Sequence, residues 1–170
     1  MKSQSLRKVL EGTYRSSIFN EIKKQPEQYF EETLVIYLEG GSKGEWRAGN
    51  ILCQFLKKND NRVSPHLDLL IEKLQSNDKS VIRETLRILF KFSFTDEQEG
   101  RLFNYCTNIW LNIDIPPGAR FYALKHLSLI AKKYPELKNE VLLLLDENYI
   151  EPLSPGVKQS VKKIIRELRA

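Results

Sequence analysis

Four dipeptides, Trp46-Arg47, Ile82-Arg83, Ala119-Arg120 and Val157-Lys158, set a cation directly after an apolar residue, and the cations lie 36, 37 and 38 residues apart. That period is the length of one helical hairpin. A unit of this size cannot bury its apolar face alone and stacks on copies of itself, so the repeat points to an all-α chain of stacked helix pairs. No alternating apolar-polar stretch interrupts the pattern, which excludes sandwich and doubly wound folds. A compact helical bundle shares the local patterns but has no need of a recurring register.

Helical spacing and punctuation place the elements. Residues 3–10 and 18–24 read as short capping helices broken at Gly12, with Pro26 at a first helical turn. The first pair spans 27–39, with Phe30, Leu34 and Tyr37 on one face, and 44–58, with Ala48, Ile51, Leu52 and Phe55 inward; Gly40-Gly41-Ser42 makes the turn. Ser64-Pro65, a hydroxyl N-cap before a proline, opens the second pair, which carries Leu67, Leu70, Ile71 and Leu74 at helical spacing. Its second helix follows Asn77-Asp78 and runs to about Phe94. Val81, Ile82, Thr85, Leu86, Leu89 and Phe90 cover a wide arc of it, as expected of an element packed from two sides.

Thr95 and Gln98 stand at capping-box spacing and start the third pair. Its inward residues are Leu102, Cys106, Ile109 and Trp110 and, after Pro116-Pro117, Ala123, Leu127, Ile130 and Ala131; Pro135 ends that helix. The last pair is 136–148, with Leu137, Val141, Leu144 and Leu145, and 154–170, opened by Ser154-Pro155. The expectation is one domain over 1–170, with capping helices in 1–25 and four pairs in 26–170.

Composition narrows the functions open to such a chain. With 41% hydrophobic and 29% charged residues, its 170 positions suffice to bury a core without staples, and no apolar run is long enough to cross a membrane. The polar first eleven residues do not resemble a secretory signal, and Cys53 and Cys106 sit inside apolar helical patterns, so a cytoplasmic, reducing setting is expected. His66 and His126 have no Cys, Asp or Glu at ligand spacing, and no phosphate loop, nucleophile elbow or paired-carboxylate motif is present. No metal, no cofactor and no enzymatic activity are expected.

Ile82-Arg83 followed by Leu86 and Leu89, and Ala119-Arg120 followed by Ala123 and Leu127, resemble the second helix of HEAT repeats, over about residues 27–170. The resemblance implies an α-solenoid whose second helices line a concave face used to bind macromolecules. It also implies that the arginine of the dipeptide can serve as a structural bridge between repeats. Bacterial HEAT-like DNA glycosylases are a more distant likeness: Trp46, Trp110 and Asp114 supply the residue types, but no position matches their catalytic carboxylate.

Charge gives the functional expectation. Each of the four first helices is net acidic and each second helix net basic, within an overall charge of +5. Lys79, Arg83, Arg87 and Lys91 recur every four residues, as do Lys158, Lys162 and Arg166, so each set forms a stripe along one helix face. If the second helices share a concave side, that side is basic and attracts an acidic partner. The expected binding residues are Arg47, Arg83, Arg87, Lys91, Arg120, Lys158, Lys162 and Arg166, and the expected partner is an acidic protein. Nucleic-acid binding or repair is the alternative class. Against both stands the reading that these cations pair within the fold or offset helix C-termini.

Overall fold

The computed structural model describes residues 3–12 and 16–169, with side chains except at 3–5, 16–18 and 23. Residues 1–2 and 13–15 of the expected capping segment, and residue 170 of the last pair, fall outside that set. Every regular element among the described residues is helical. Packing separates two compact units, Met1–Ser93 and Phe94–Ala170.

The first unit contains α1 (Ser3–Glu11), α2 (Ser16–Lys24), α3 (Pro26–Glu39), α4 (Glu45–Phe55), α5 (Leu67–Glu72) and α6 (Lys79–Leu89). Helix α3 folds back on α4 through Gly40 and Gly41, whose φ values of 67° and 72° lie in the left-handed region that favours glycine. The Gly40 amide closes α3 by donating to the Ile36 carbonyl. Phe30, Leu34 and Tyr37 of α3 and Ala48, Ile51 and Leu52 of α4 are buried, as the spacing predicts. Helix α4 packs along α6, of which seven of eleven residues are buried, so α6 is covered on more than one side. Asp78 caps α6 by accepting from the Ser80 amide at 2.7 Å.

Gly49 marks the point where α3, α4 and α6 converge. A Cβ added there would lie 2.7 Å from Tyr37 Cε2 and 3.0 Å from Glu84 Cβ, so only glycine admits this approach. Beside it the buried Tyr37 hydroxyl lies 2.5 Å from Thr85 Oγ1. Thr85 donates its own proton to the Val81 carbonyl at 2.8 Å, so the tyrosine is the donor between the two.

In the first unit three helices differ from the expectation. Helix α4 stops at Phe55 rather than 58 because Leu56 turns extended, and α6 stops at Leu89 rather than 94. The intervening loop accounts for the second case: Asn59, at φ 53°, donates its amide to the Lys91 carbonyl and accepts the Ser93 amide on Oδ1 at 2.8 Å, closing the end of α6 from outside. The helix expected from Ser64 is divided into a 3-10 turn, α5 and a second 3-10 turn. Ser64 is no α-helical N-cap, since its hydroxyl points back to the Asp60 carbonyl.

That same loop is held to α3 by Arg62. Its guanidinium stacks 3.5 Å from the Phe30 ring centroid, donates to both carboxylate oxygens of the buried Asp60, and reaches Glu27 at 2.7 Å. These bonds favour the ionised acid and hold the Asp60 carboxyl at about 2.

The second unit contains α7 (Asp96–Leu111), α8 (Pro117–Lys133), α9 (Lys138–Leu143), α10 (Glu147–Ile150) and α11 (Pro155–Arg169). Both bonds of the Thr95–Gln98 capping box are present, and Pro117 occupies the first turn of α8. Leu102, Cys106, Ile109 and Trp110 of α7 pack against Ala123, Leu127, Ile130 and Ala131 of α8 in one buried layer. Helix α11 lies along α8 and contributes Val161, Ile164 and Leu168. Lys132 near the end of α8 meets Glu167 near the end of α11 at 2.7 Å, so the two helices run in the same direction.

The helix expected over 136–148 is instead a 3-10 turn, α9 and α10. Asp146 starts a new helix by accepting the Asn148 amide at 2.9 Å, and the Leu144 carbonyl, freed at the break, accepts from Trp110 Nε1 at 2.7 Å.

Two predictions follow from the first unit. Gly49→Ala should cost about 1–3 kcal/mol of stability through overpacking, despite the better helix propensity of alanine, and urea unfolding monitors it. Asp60 has a folded-state value below its usual 3.8, so its contribution is complete above about pH 4 and disappears as pH falls toward 2. The melting temperature of the native protein should therefore fall more steeply between those pH values than that of Asp60→Asn.

Candidate functional site: the basic residues

The unsatisfied carbonyls at helix C-termini decide where the periodic cations go. Arg47, in the first turn of α4, donates from one guanidinium nitrogen to the carbonyls of Leu10 and Gly12 at 2.5 and 2.6 Å, closing the end of α1. Lys91 donates to the carbonyls of Cys53 and Leu56 at 2.6 and 2.8 Å, closing α4. Arg120, in the first turns of α8, donates to the Trp110 carbonyl at 2.9 Å and the Tyr149 carbonyl at 2.6 Å, and its guanidinium lies 4.9 Å from the Trp110 ring centroid. It thereby closes α7 and α10 together.

Arg120 is only 1% exposed. It is therefore removed from the expected binding surface: a guanidinium enclosed by protein and committed to two carbonyls cannot meet a partner. Burial lowers its pKa, but an arginine so placed remains charged and its donors remain available. Arg47 and Lys91 are half-buried and bonded to main chain in the same way.

Arg83 and Arg87 take a different arrangement. The Glu84 carboxylate between them is fully buried and accepts from Arg83 through Nε and a terminal nitrogen, at 2.9 and 2.6 Å, and from Arg87 at 2.6 Å. Burying a carboxylate is costly unless it is paired, and two guanidiniums meet that demand. The side chains of Arg83 and Arg87 keep 42% and 30% of their exposure, so this collar presents positive charge outward over a buried negative one.

Helix α11 differs from all of these. Val161, Ile164 and Leu168 define its inward face, and Lys162, Lys163, Arg166 and Arg169 stand exposed on the rest. Lys158, half-buried, pairs with Glu151 at 3.1 Å. Among the outward groups Glu167 is held ionised by Lys132. Arg166 Nε donates to the Lys162 carbonyl of its own helix, at 3.4 Å. Of the eight expected binding residues, then, the structure sets Lys158, Lys162 and Arg166 on one helix, Arg83 and Arg87 on another, and uses Arg47, Lys91 and Arg120 as helix-end donors.

Lys163 and Arg169 belong with the α11 group although a four-residue stripe omits them. The spacing of the three buried residues would have revealed them, since every position off that inward face is outward. Of the residue types of a base-excision site, Trp110 is fully buried with its indole N–H bonded to the main chain, and Asp114 is exposed. Both cysteines are buried, and burial pushes the Cys53 thiol up to about 12. Among the described residues no helix is long and apolar enough to cross a membrane, and no group of three or more His, Cys, Asp or Glu is placed to hold a metal.

Helical hairpins recur along the chain, and within each unit one second helix lies along the next, α4 on α6 in the first and α8 on α11 in the second, which defines an all-α helical-repeat protein. The HEAT repeat domain model matches residues 3–168, and the chain belongs to that family, a class of helical scaffold modules. No curated protein and no solved structure was found to match it.

The two uses of cations separate in stability. Arg120→Met should lower the unfolding free energy by about 2–4 kcal/mol, since it takes the donor from the buried Trp110 carbonyl and the half-buried Tyr149 carbonyl, whereas Lys162→Gln should change it by less than about 0.5 kcal/mol. Denaturant titration of the two variants beside the native protein provides the comparison.

Proposed function

We propose that the chain is a non-enzymatic docking module whose α11 surface binds an acidic segment of another protein. The observation that carries this reading is the outward cluster Lys162, Lys163, Arg166 and Arg169 on a helix whose inward face is anchored by Val161, Ile164 and Leu168. Of the other expected binding residues, Arg47, Lys91 and Arg120 are occupied by carbonyls, and Arg83 and Arg87 by Glu84. On α11 they are the outward surface, and their charge steers and orients an acidic partner. The Arg83–Arg87 collar is a separate, weaker positive feature on the first unit.

Length favours protein over nucleic acid. From Lys162 to Arg169 is about 10 Å of helix, while a duplex carries a charge every ~1.7 Å and is tracked by extended rows of cations. An acidic helix or loop matches four cations on one helix better.

Titration of the native chain with a fluorescent glutamate-rich peptide and with a labelled DNA duplex, each at two salt concentrations, tests the reading. The peptide should bind, and the Lys162→Glu, Arg166→Glu double variant should weaken it about tenfold or more, as expected from losing two screened pairs and adding repulsion. Binding indifferent to the double variant overturns the reading. Tighter binding of the duplex, with a steep salt dependence removed by the same variant, replaces the protein partner with nucleic acid.

A further inference from the structure

A groove of about 420 Å³ opens in the second unit between the start of α7 and the end of α8, where the turn into α9 crosses them. Its apolar part is Phe103, Ile130 and Leu137. Its polar part is acidic: Asp96 and Glu99 from α7, Glu136 and Glu140 from the turn and α9. Phe103 and Ile130 are nearly buried, while Glu136 and Glu140 are exposed, so the acids stand toward solvent around an apolar floor.

The four carboxylates are unequally satisfied. Lys133 Nζ lies 2.6 Å from Glu99 and 3.3 Å from Asp96, and the Tyr134 hydroxyl lies within 2.7 Å of both. Tyr134 has one proton to give, so the lysine supplies the second carboxylate. These bonds hold Asp96 below the usual carboxylate range. Glu136 and Glu140 sit four residues apart, close enough to repel, and no ion pair with either is found among the described residues. One lysine among four acids leaves the rim strongly negative.

Gly100 supplies an independent observation. It lies inside α7, exposed, on the groove wall, and a Cβ added there would meet no atom within 4 Å. Glycine is disfavoured inside a helix, and neither close packing nor a left-handed turn requires it here. A large side chain at this position, unlike a methyl group, would project from the groove wall.

The geometry points to this groove as a docking site for a basic segment of a partner protein, one that seats an aliphatic side chain on Phe103, Ile130 and Leu137 and sets an adjacent lysine or arginine against Glu136 and Glu140. Charge complementarity selects the cation and the apolar floor selects its neighbour. Such a site shares no residue with the α11 cluster and takes the opposite charge.

The probe is the blocked tetrapeptide acetyl-Leu-Arg-Leu-Arg-amide, titrated into the isotope-labelled full chain while backbone amide shifts are followed. Shifts are expected around Gly100, Asn104, Leu137 and Glu140. Gly100→Leu, which fills the groove and improves helix propensity, should abolish them while melting no lower than the native protein. Glu136→Gln with Glu140→Gln should weaken binding about tenfold, the worth of two partly screened pairs. Shifts clustered elsewhere, or binding unchanged in either variant, overturn the proposal. So does equal binding of spermidine, which has no aliphatic side chain to seat, or of acetyl-Leu-Glu-Leu-Glu-amide. Concentration-dependent self-association abolished by Gly100→Leu would identify a second copy of the chain as the occupant and overturn the assignment to a separate partner.

Discussion

Helix ends are the constraint on which this fold depends. A chain of short helices has many C-termini, each leaving carbonyls without intrahelical donors, and burying those carbonyls by stacking would be unfavourable without replacement donors. Here the donors are long cationic side chains reaching from elsewhere in the same unit: Arg47 to the end of α1, Lys91, in the turn after α6, to the end of α4, and Arg120 to the ends of α7 and α10. A cation at a helix C-terminus also meets the negative end of the macrodipole, so one side chain satisfies hydrogen bonding and field together. Trp110 does the same service for Leu144 with a neutral N–H.

Apolar periodicity made the layers legible. Leu102, Cys106, Ile109 and Trp110 against Ala123, Leu127, Ile130 and Ala131 could be read because 3.6-residue spacing has a single inward solution on each helix. The Thr95 capping box and the Asp78 start were readable for a local reason, since both act within three residues. Breaks in helices were not readable. The interruption at Leu144 depends on Trp110, and the end of α6 on Asn59, each about 34 residues away, and local propensity carries no trace of such contacts.

Basic residues showed the same limit more sharply. Arg120 and Lys162 are alike in a charge count, yet one is enclosed and the other exposed. What separates them is the surroundings: Arg120 stands in the first turns of a helix, where a hairpin brings the preceding C-terminus within reach, whereas Lys162 stands mid-helix on an outward face. The Glu84 collar adds a further case, in which a buried acid of the helix's own sequence claims two cations of a stripe. The acidic groove was invisible for a related reason: its rim is drawn from α7 and from the turn after α8, segments whose charges look like ordinary solvated faces until folding brings them together.

Because the residue that closes a helix belongs to another part of the repeat series, sequence periodicity and energetic independence do not coincide. Lys91 completes a helix of the preceding hairpin, and Arg120 completes one in the following hairpin. Excising or transplanting a unit at its sequence boundary would strand a carbonyl on one side of the cut and a desolvated cation on the other. Adding or removing a whole hairpin would therefore require these donors and acceptors to be exchanged together, so the interlocked pair, rather than the single hairpin, is the smallest unit whose polar groups are all satisfied at these helix ends.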